Sequence, residues 1–236
     1  MLEMHGNKLT WLGHAGFKIT TASGKVVLID PWISGPTCPE ALKKFERVDL
    51  LLVTHGHSDH FADVVTIARE HKPKVIAIFE TGMWLQSKKV ENVMPMSKGG
   101  TQKIEDIAVT MVHANHSNSI VDDGKVIYGG EPAGYVVRLP GGLTLYHAGD
   151  TNLLGDMRLI GELYQPQLAM LPIGDNFTMG PHEAAHAIRL LGVRHVIPMH
   201  YGTFPLLTGT PEALKSETDD VAGLNIHALK PGETLG

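Results

Sequence analysis

The sequence of 236 residues contains a single cysteine, Cys38. One thiol excludes an intramolecular disulfide and is what a reducing compartment permits, so we expect a cytoplasmic protein. The first residues, MLEMHGNKLT, contain no apolar signal segment. Apolar runs such as LLLV at 50–53 are far shorter than the roughly 20 residues of a membrane span, which predicts no membrane insertion.

The sequence also lacks a large excess of positive or negative charge. The chain has 20 basic and 25 acidic residues, a formal net charge of −5, and no dense stretch of Lys or Arg that could follow a phosphate backbone. We therefore expect a small-molecule substrate and no nucleic-acid partner, whereas a homo-oligomer is left open. With 43% hydrophobic residues the chain can bury a sizeable core, and we interpret residues 1–236 as one domain.

The hydrophobic pattern predicts an α/β fold. The run VDLLLVTH at 48–55 is typical of a strand buried on both faces, and FADVVTIAREHK at 61–72 has the spacing of an amphipathic helix. The strand VIAIFE at 75–80 completes a βαβ unit. Further strands are expected at 8–20, 25–30, 107–114, 133–139, 143–149, 168–173 and 195–200, and helices at 156–164 and 181–191.

Histidine is abundant, with 14 residues against six phenylalanines. Three of these histidines and one aspartate lie in the hexapeptide HGHSDH at 55–60, directly after the predicted buried strand. Neutral histidine nitrogen and carboxylate oxygen suit zinc, iron or manganese. Crowding unpaired polar groups at a strand end is costly, so we interpret the hexapeptide as part of a metal site.

The motif THGHSDH resembles the H-x-H-x-D-H signature of the metallo-β-lactamase superfamily. Four further motifs occur in the order of that family. Asp30 in KVVLID is similar to its first acidic motif, a supporting position at the pocket, and His116 in VHANHS to its third motif. Asp150 in HAGDT is similar to the bridging carboxylate and His200 in PMHYGTF to the last ligand. The resemblance covers most of the chain and implies the four-layer αβ/βα sandwich of that fold, with two mixed sheets face to face.

The resemblance further implies two divalent metal ions, with three terminal ligands for each ion and one shared carboxylate. The first set is His55, His57 and His116, the second set is Asp59, His60 and His200, and the shared group is Asp150. A hydroxide bridging the ions would be the nucleophile, and Asp59 would also orient it. Zn²⁺ is the favoured metal, with Mn²⁺, Ni²⁺ and Fe²⁺ as alternatives.

The resemblance also narrows the reaction. Lactamases of the superfamily typically have Cys or Ser where this chain has Asp150, whereas its esterases, lactonases and phosphodiesterases use the bridging Asp. The phrases WLGHAGF, YHAGDT, LPIGDNFTMGP and HYGTFP are similar to metal-dependent hydrolases related to L-ascorbate-6-phosphate lactonase and, more distantly, to N-acylphosphatidylethanolamine phospholipase D. We therefore expect hydrolysis of an ester, lactone or phosphoester. Mononuclear iron oxygenation of sulfur compounds and a non-catalytic metal-binding module are the alternatives.

A rival motif is HEAAH at 182–186, which matches the H-E-x-x-H pattern of zinc proteases on a predicted helix. Gly180-Pro181 places the start of this short helix directly before His182, and a full ligand set exists elsewhere. We therefore favour an ordinary amphipathic helix, in which Glu183 stabilises the N-terminal end and His182 lies near the pocket at most.

For several residues in or near these motifs, the sequence leaves two interpretations open. His14 in WLGHAGF lies either near the active site or in the core. HANH offers His113 or His116 as the ligand, and His116 is preferred because it aligns with the family motif. Asp175 follows a buried strand and could be an acceptor that fixes a ligand imidazole. Tyr201, beside His200, lines the pocket or packs in the core or at its rim.

Overall fold

Two seven-stranded β-sheets form the centre of the computed structural model, which describes residues 2–236. In the first sheet the order is β16-β1-β2-β3-β4-β5-β6, antiparallel from β16 to β3 and parallel from β3 to β6. Its strands are β1 (Lys8–Gly13), β2 (Gly16–Thr20), β3 (Val26–Ile29), β4 (Leu50–Leu52), β5 (Lys74–Ile78), β6 (Val93–Met96) and β16 (Thr234–Leu235).

The second sheet has the same mixed character. Its order is β15-β14-β13-β12-β11-β8-β7, antiparallel from β7 to β12 and parallel from β12 to β15. Its strands are β7 (Thr101–Ile104), β8 (Ile107–His113), β11 (Ala133–Arg138), β12 (Thr144–His147), β13 (Leu168–Pro172), β14 (His195–Met199) and β15 (Asn225–Ile226). A separate hairpin pairs β9 (Ser119–Asp122) with β10 (Lys125–Tyr128).

Six α-helices accompany the sheets in residues 2–236, together with two single-turn 3-10 helices at Glu40–Leu42 and Pro140–Gly142. The α-helices are α1 (Ser58–Phe61), α2 (Val64–His71), α3 (Phe79–Ser87), α4 (Asp156–Tyr164), α5 (Pro181–Leu191) and α6 (Pro211–Ser216). Over residues 2–236, no helix has the length and apolar character needed to cross a membrane.

The strands alternate between two cores, which fixes the layer order. In β4, Leu50 and Leu52 join a core made from both sheets, whereas Leu51 packs in a second core with residues of α1 to α3. A third core joins the second sheet to α4, α5 and α6. Because residues i and i+2 of a strand share a face, the helices lie outside and the sheets face each other. The predicted four-layer αβ/βα sandwich is confirmed.

Some predicted elements have different limits. The strand predicted over 8–20 divides into β1 and β2, with His14 and Ala15 at the corner. The helix predicted over 61–72 is the shorter α2, and the separate helix α1 begins at Ser58, inside HGHSDH. The strand predicted over 75–80 ends at Ile78, where α3 begins. The hairpin β9–β10 was not predicted at all.

The topology brings distant motifs to one edge of the sandwich. HGHSDH follows β4, His116 follows β8, Asp150 follows β12 and His200 follows β14. The strands β8, β12 and β14 run in the same direction, since two antiparallel pairings separate β8 from β12 and parallel pairings lead on to β14. Their carboxyl ends therefore meet at one edge, the usual place for a ligand site in such sheets.

Candidate metal centre

The predicted ligands form two groups of side chains at this edge. In each group the potential ligand atoms lie within 4.8 Å of one another. The first group, called the three-histidine group below, is His55, His57 and His116, and the second group, called the Asp59 group, is His14, Asp59, His60 and His200.

Asp150 lies between the two groups. Its Oδ2 atom is 3.0 Å from Nε2 of His200 and 3.2 Å from Nε2 of His60, both in the Asp59 group. The same oxygen is 3.8 Å from Nε2 of His116 and 3.9 Å from Nε2 of His55, both in the three-histidine group. One carboxylate oxygen therefore faces both sets of imidazoles.

Several polar atoms at this point are buried and make no hydrogen bond of acceptable geometry among the described residues, although two of them lie close to Oδ2 of Asp150. They are Nε2 of His60, Oδ1 of Asp150 and both ring nitrogens of His200. Leaving a buried donor or acceptor unpaired costs about 1–3 kcal/mol, so such atoms seldom collect at one place without a ligand. Imidazole and carboxylate groups without thiolate are donors suited to divalent zinc, manganese, nickel or iron, and the donor set fits metal ions.

Asp30 supports two of the imidazoles from behind. It is fully buried and accepts hydrogen bonds from Nδ1 of His60, at 2.9 Å, and from the backbone nitrogen of Thr54, at 2.8 Å. The Thr54 hydroxyl also donates to Asp30, so its oxygen can only accept from Nδ1 of His55, 3.0 Å away. Both imidazoles thus donate through Nδ1 and turn Nε2 toward Asp150. Such acceptors orient metal-binding histidines.

His14 lies in the Asp59 group and is almost fully buried. Its Nε2 is 3.0 Å from Oδ2 of Asp59, and its Nδ1 is 2.9 Å from Oγ1 of Thr203. An ionised carboxylate only accepts, so Nε2 of His14 donates to Asp59 and Nδ1 accepts from the Thr203 hydroxyl. Of the two interpretations of His14, the structure therefore supports the one near the site.

The charges of the site follow from burial and from the carboxylates. Burial lowers the pKa of His14 to about 4, despite the opposing hydrogen bond to Asp59. Burial also lowers the pKa of His55. For His200 burial acts in the same direction, but the neighbouring carboxylates of Asp150 and Asp59 together outweigh it and raise the pKa to about 9. Burial alone would raise the pKa of Asp59, yet the hydrogen bond from His14 and the other neighbouring imidazoles together hold it below its usual range.

Three residues of the site have left-handed backbone conformations. His14, Asp30 and His200 have φ of 50°, 44° and 57°. For residues other than glycine this region costs on the order of 1–3 kcal/mol and persists where the surroundings hold the chain. Here the backbone nitrogen of His200 donates to the carbonyl oxygen of His14 at 3.0 Å, which ties the β1–β2 corner to the end of β14.

The choice between the two histidines of HANH is clear from their positions. Nε2 of His116 lies 3.3 Å from Nδ1 of His57, inside the three-histidine group. His113 instead lies at the end of β8, where Nζ of Lys98 donates to its Nδ1 at 2.9 Å. The preferred residue, His116, is the one that the structure brings to the site.

Two of the other candidate residues lie outside the two groups. Asp175 is exposed, and its side chain accepts from the backbone nitrogen of Asn176. Among residues 2–236 no imidazole donates to it, so the structure does not support the expectation that it fixes a ligand imidazole. Tyr201 is half-buried, stacks on Trp11 with ring centroids 5.5 Å apart and packs against the core, which supports the interpretation that places it in the core or at its rim.

The rival HEAAH motif lies on the surface of α5. Nδ1 of His182 lies 2.9 Å from a carboxylate oxygen of Glu217, and its side chain is 72% exposed. His186 is exposed as well. A third potential metal-binding group in residues 2–236 consists of Asp30, His55 and His60. None of the three groups contains His182 or His186. The structure therefore gives the protease alternative no support.

Some supporting residues were missed from the sequence. Thr54 and Thr203 hold imidazoles of the site, as described above, and Oδ1 of Asn118 accepts from the backbone nitrogen of Gly56 at 2.8 Å. Thr54 lies inside the quoted motif THGHSDH, which was a usable signal. Thr203 lies inside HYGTFP, which was a usable signal as well, whereas nothing in the local sequence marks Asn118, because its partner Gly56 is 62 positions away.

Comparisons with known proteins agree with this arrangement. The family model described as Beta-lactamase superfamily domain matches residues 25–201. A UPF0173 metal-dependent hydrolase of Koribacter versatilis is 54% identical over 234 residues, covering 99% of both chains. Another from Rubrobacter xylanophilus is 54% identical over 234 residues, covering 98% of this chain and 97% of that protein. The structure of a metallo hydrolase from Ignicoccus hospitalis has a TM-score of 0.86 at 33% identity, covering 97% of each chain. The chain therefore belongs to the metallo-β-lactamase superfamily and is one of its metal-dependent hydrolases.

Proposed function

We propose that this chain hydrolyses an ester, lactone or phosphoester with the help of two divalent metal ions. The observation that carries the proposal is the position of Asp150, whose Oδ2 lies 3.0–3.9 Å from Nε2 of histidines in both groups. Two sets of terminal ligands that share one carboxylate form the donor set expected of a dinuclear metal centre. Such a donor set is harder to reconcile with a single metal ion.

In this proposal each ion has three terminal ligands. His55, His57 and His116 hold the first ion, Asp59, His60 and His200 hold the second, and Asp150 is shared. When bound, two cations supply an acidified water as nucleophile and stabilise the negative charge that develops on the attacked group. Zn²⁺ is the metal that we favour, and Mn²⁺, Ni²⁺ and Fe²⁺ also suit nitrogen and oxygen ligands.

Asp59 is the residue that we propose to orient the attacking water and accept its proton. Its carboxylate has a pKa below the usual range, so it is ionised and can accept a hydrogen bond from that water. His14 holds Oδ2 of Asp59 by donating from Nε2, and Thr203 holds His14 in turn. We therefore assign His14 as a positioning residue for Asp59, because its nitrogen facing the site carries a proton and cannot also bind a cation.

The reaction class rests on the residue types of the site. Asp150 stands where lactamases of the superfamily typically have Cys or Ser, which favours the esterases, lactonases and phosphodiesterases. The relation to L-ascorbate-6-phosphate lactonase stays a prediction from sequence motifs. So do the single domain over 1–236, the cytoplasmic location, the small-molecule substrate and a homo-oligomeric state.

The test is a substrate screen of metal-loaded protein with nitrophenyl esters, aliphatic lactones and nitrophenyl phosphodiesters. We expect turnover in at least one class, loss of that turnover after chelation and recovery after two equivalents of Zn²⁺. No turnover in any class at full metal content would favour a metal-binding module. A single iron per chain with oxygen consumption would favour the oxygenase.

A further inference from the structure

A cavity of about 380 Å³ lies directly beside the metal centre. His57 and Asp59 line one end of it, and Phe61, Trp84 and Ile120 are among the apolar residues that line the rest. This volume lies in the range of small-molecule sites. A larger depression of about 540 Å³ lies at the amino-terminal ends of β4 and β5, at the opposite edge, and is lined mainly by charged and polar residues.

The inner wall of the cavity is a fixed pair of aromatic rings. Phe61 and Trp84 have ring centroids 5.4 Å apart. Nε1 of Trp84 donates to Oδ2 of Asp122 at 3.2 Å, and Nζ of Lys88 lies 5.3 Å from the Trp84 ring while it pairs with the same carboxylate. These contacts hold the indole in one orientation, so the apolar wall is formed before a ligand binds.

The outer wall is the hairpin β9–β10, which is tied to the metal-site loop. Oδ1 of Asn118 accepts from the backbone nitrogen of Gly56, and Nδ2 of Asn118 donates to the carbonyl oxygen of Gly129 at 2.8 Å. Ile120 packs so closely on Gly56 that a Cβ there would lie 2.5 Å from its Cγ1. Val121, the next residue, lines the cavity and is 68% exposed, which leaves apolar surface for a ligand to cover.

We propose that this cavity binds an alkyl or aryl group of the substrate and places its hydrolysable bond at the metal centre. The inference rests on the proposed function and narrows its substrate class. Of the cavity's lining residues within 2–236, none is Lys or Arg, so no basic side chain there would recognise a phosphate or sugar phosphate at the far end of the substrate. The substituent that enters the cavity is therefore uncharged and apolar, and within the proposed function this favours an ester or lactone with an apolar substituent.

The probes are n-alkylphosphonates from methyl to octyl, because phosphonate oxygens bind divalent metals while the chain reports on the cavity. Calorimetry on the Zn²⁺-loaded protein measures their dissociation constants. A fully buried methylene strengthens binding by at most about fourfold. We expect the dissociation constant to fall at least tenfold from methyl to hexyl and then to level off. Equal affinity across the series, or glycerol phosphate binding as tightly as hexylphosphonate, would overturn the proposal.

Two variants test the two walls separately. Ala62→Phe fills the cavity from the exposed end of α1, and Val121→Asp puts a charge on the hairpin side. Both should flatten the dependence on chain length. The matched control is Leu163→Asp, which adds the same charge at an exposed apolar residue of α4 and should keep the wild-type dependence. An unchanged dependence in both cavity variants overturns the proposal.

Hydrolysis separates this inference from the proposed function. If the substrate screen shows no turnover while the chain-length dependence of phosphonate binding and its loss in both variants are observed, the proposed function fails and the cavity assignment stands. If turnover is observed with no preference for longer γ-alkyl lactones or alkanoate esters, the cavity assignment fails and the proposed function stands.

Discussion

Replacing Asp30 with asparagine tests whether metal binding depends on a hydrogen-bond acceptor that is not one of the proposed metal ligands. The carboxylate is fully buried and accepts from His60 and from both the backbone nitrogen and the hydroxyl of Thr54. An asparagine has nearly the same shape, but its amide nitrogen is a donor. At least one of the three donors would then face a donor and lose its partner.

The size of the effect can be worked from these bonds. One buried donor left unpaired costs about 1–3 kcal/mol of folding stability. If the lost bond is the one from His60, the imidazole loses its fixed orientation and tautomer, and changes of this kind typically lower metal affinity by about 10–100-fold. That range corresponds to about 1.4–2.7 kcal/mol of binding free energy.

The assay is competition for Zn²⁺ with a chelator of known affinity, and thermal unfolding of the metal-free protein gives the stability in parallel. Asp175→Asn is the matched control, because Asp175 is exposed and its side chain bonds only the neighbouring backbone nitrogen of Asn176. We expect wild-type affinity in the control and weaker binding in Asp30→Asn. A folded Asp30→Asn protein with wild-type Zn²⁺ affinity would refute the reasoning.

Three further predictions follow from the same site. Asp59→Asn should lower the hydrolytic rate by about 10²–10⁴-fold beyond the loss explained by metal occupancy, since it removes the proton acceptor, and a rate restored by excess metal in a titration would leave Asp59 as a ligand alone. His182→Ala combined with Glu183→Gln should leave the metal content unchanged by elemental analysis, and loss of most metal would revive the HEAAH motif. With its pKa of about 9, metal-free His200 carries a proton at pH 7 that a cation must displace, so Zn²⁺ affinity should fall as pH falls from 9 to 7. Calorimetry in buffers of different ionisation enthalpy should detect proton release at pH 7, and its absence would contradict the assigned charge.

The features that the sequence predicted well have strong local signals. The limits expected for the helices at 156–164 and 181–191 match α4 and α5, each of which ends at a left-handed C-cap residue. The apolar run before HGHSDH is β4, with side chains in both flanking cores. Binary pattern and motif spacing act within a few residues, so a single sequence reveals them.

The features that were missed depend on contacts between distant segments or on weak local signals. Helix α3 contains Thr81 and Gly82, which are poor helix formers, yet a Cβ at Gly82 would lie 3.0 Å from Pro95, so close packing on β6 favours glycine there. The hairpin β9–β10 had a usable signal in Asp123-Gly124, a turn pair with positive φ at both residues. For His14 the segment WLGHAGF gave a candidate with two interpretations, and the sequence could not decide between them because its partner Asp59 is 45 positions away.

The most direct test of the account is the number of metal ions that this arrangement holds. Protein purified without chelator and dialysed against Zn²⁺ should contain close to two ions per chain by elemental analysis, and His116→Ala and His200→Ala should each lose about one, because each removes a terminal ligand from a different group. A reproducible content of one ion or less in metal-replete wild-type protein would contradict the dinuclear centre around Asp150.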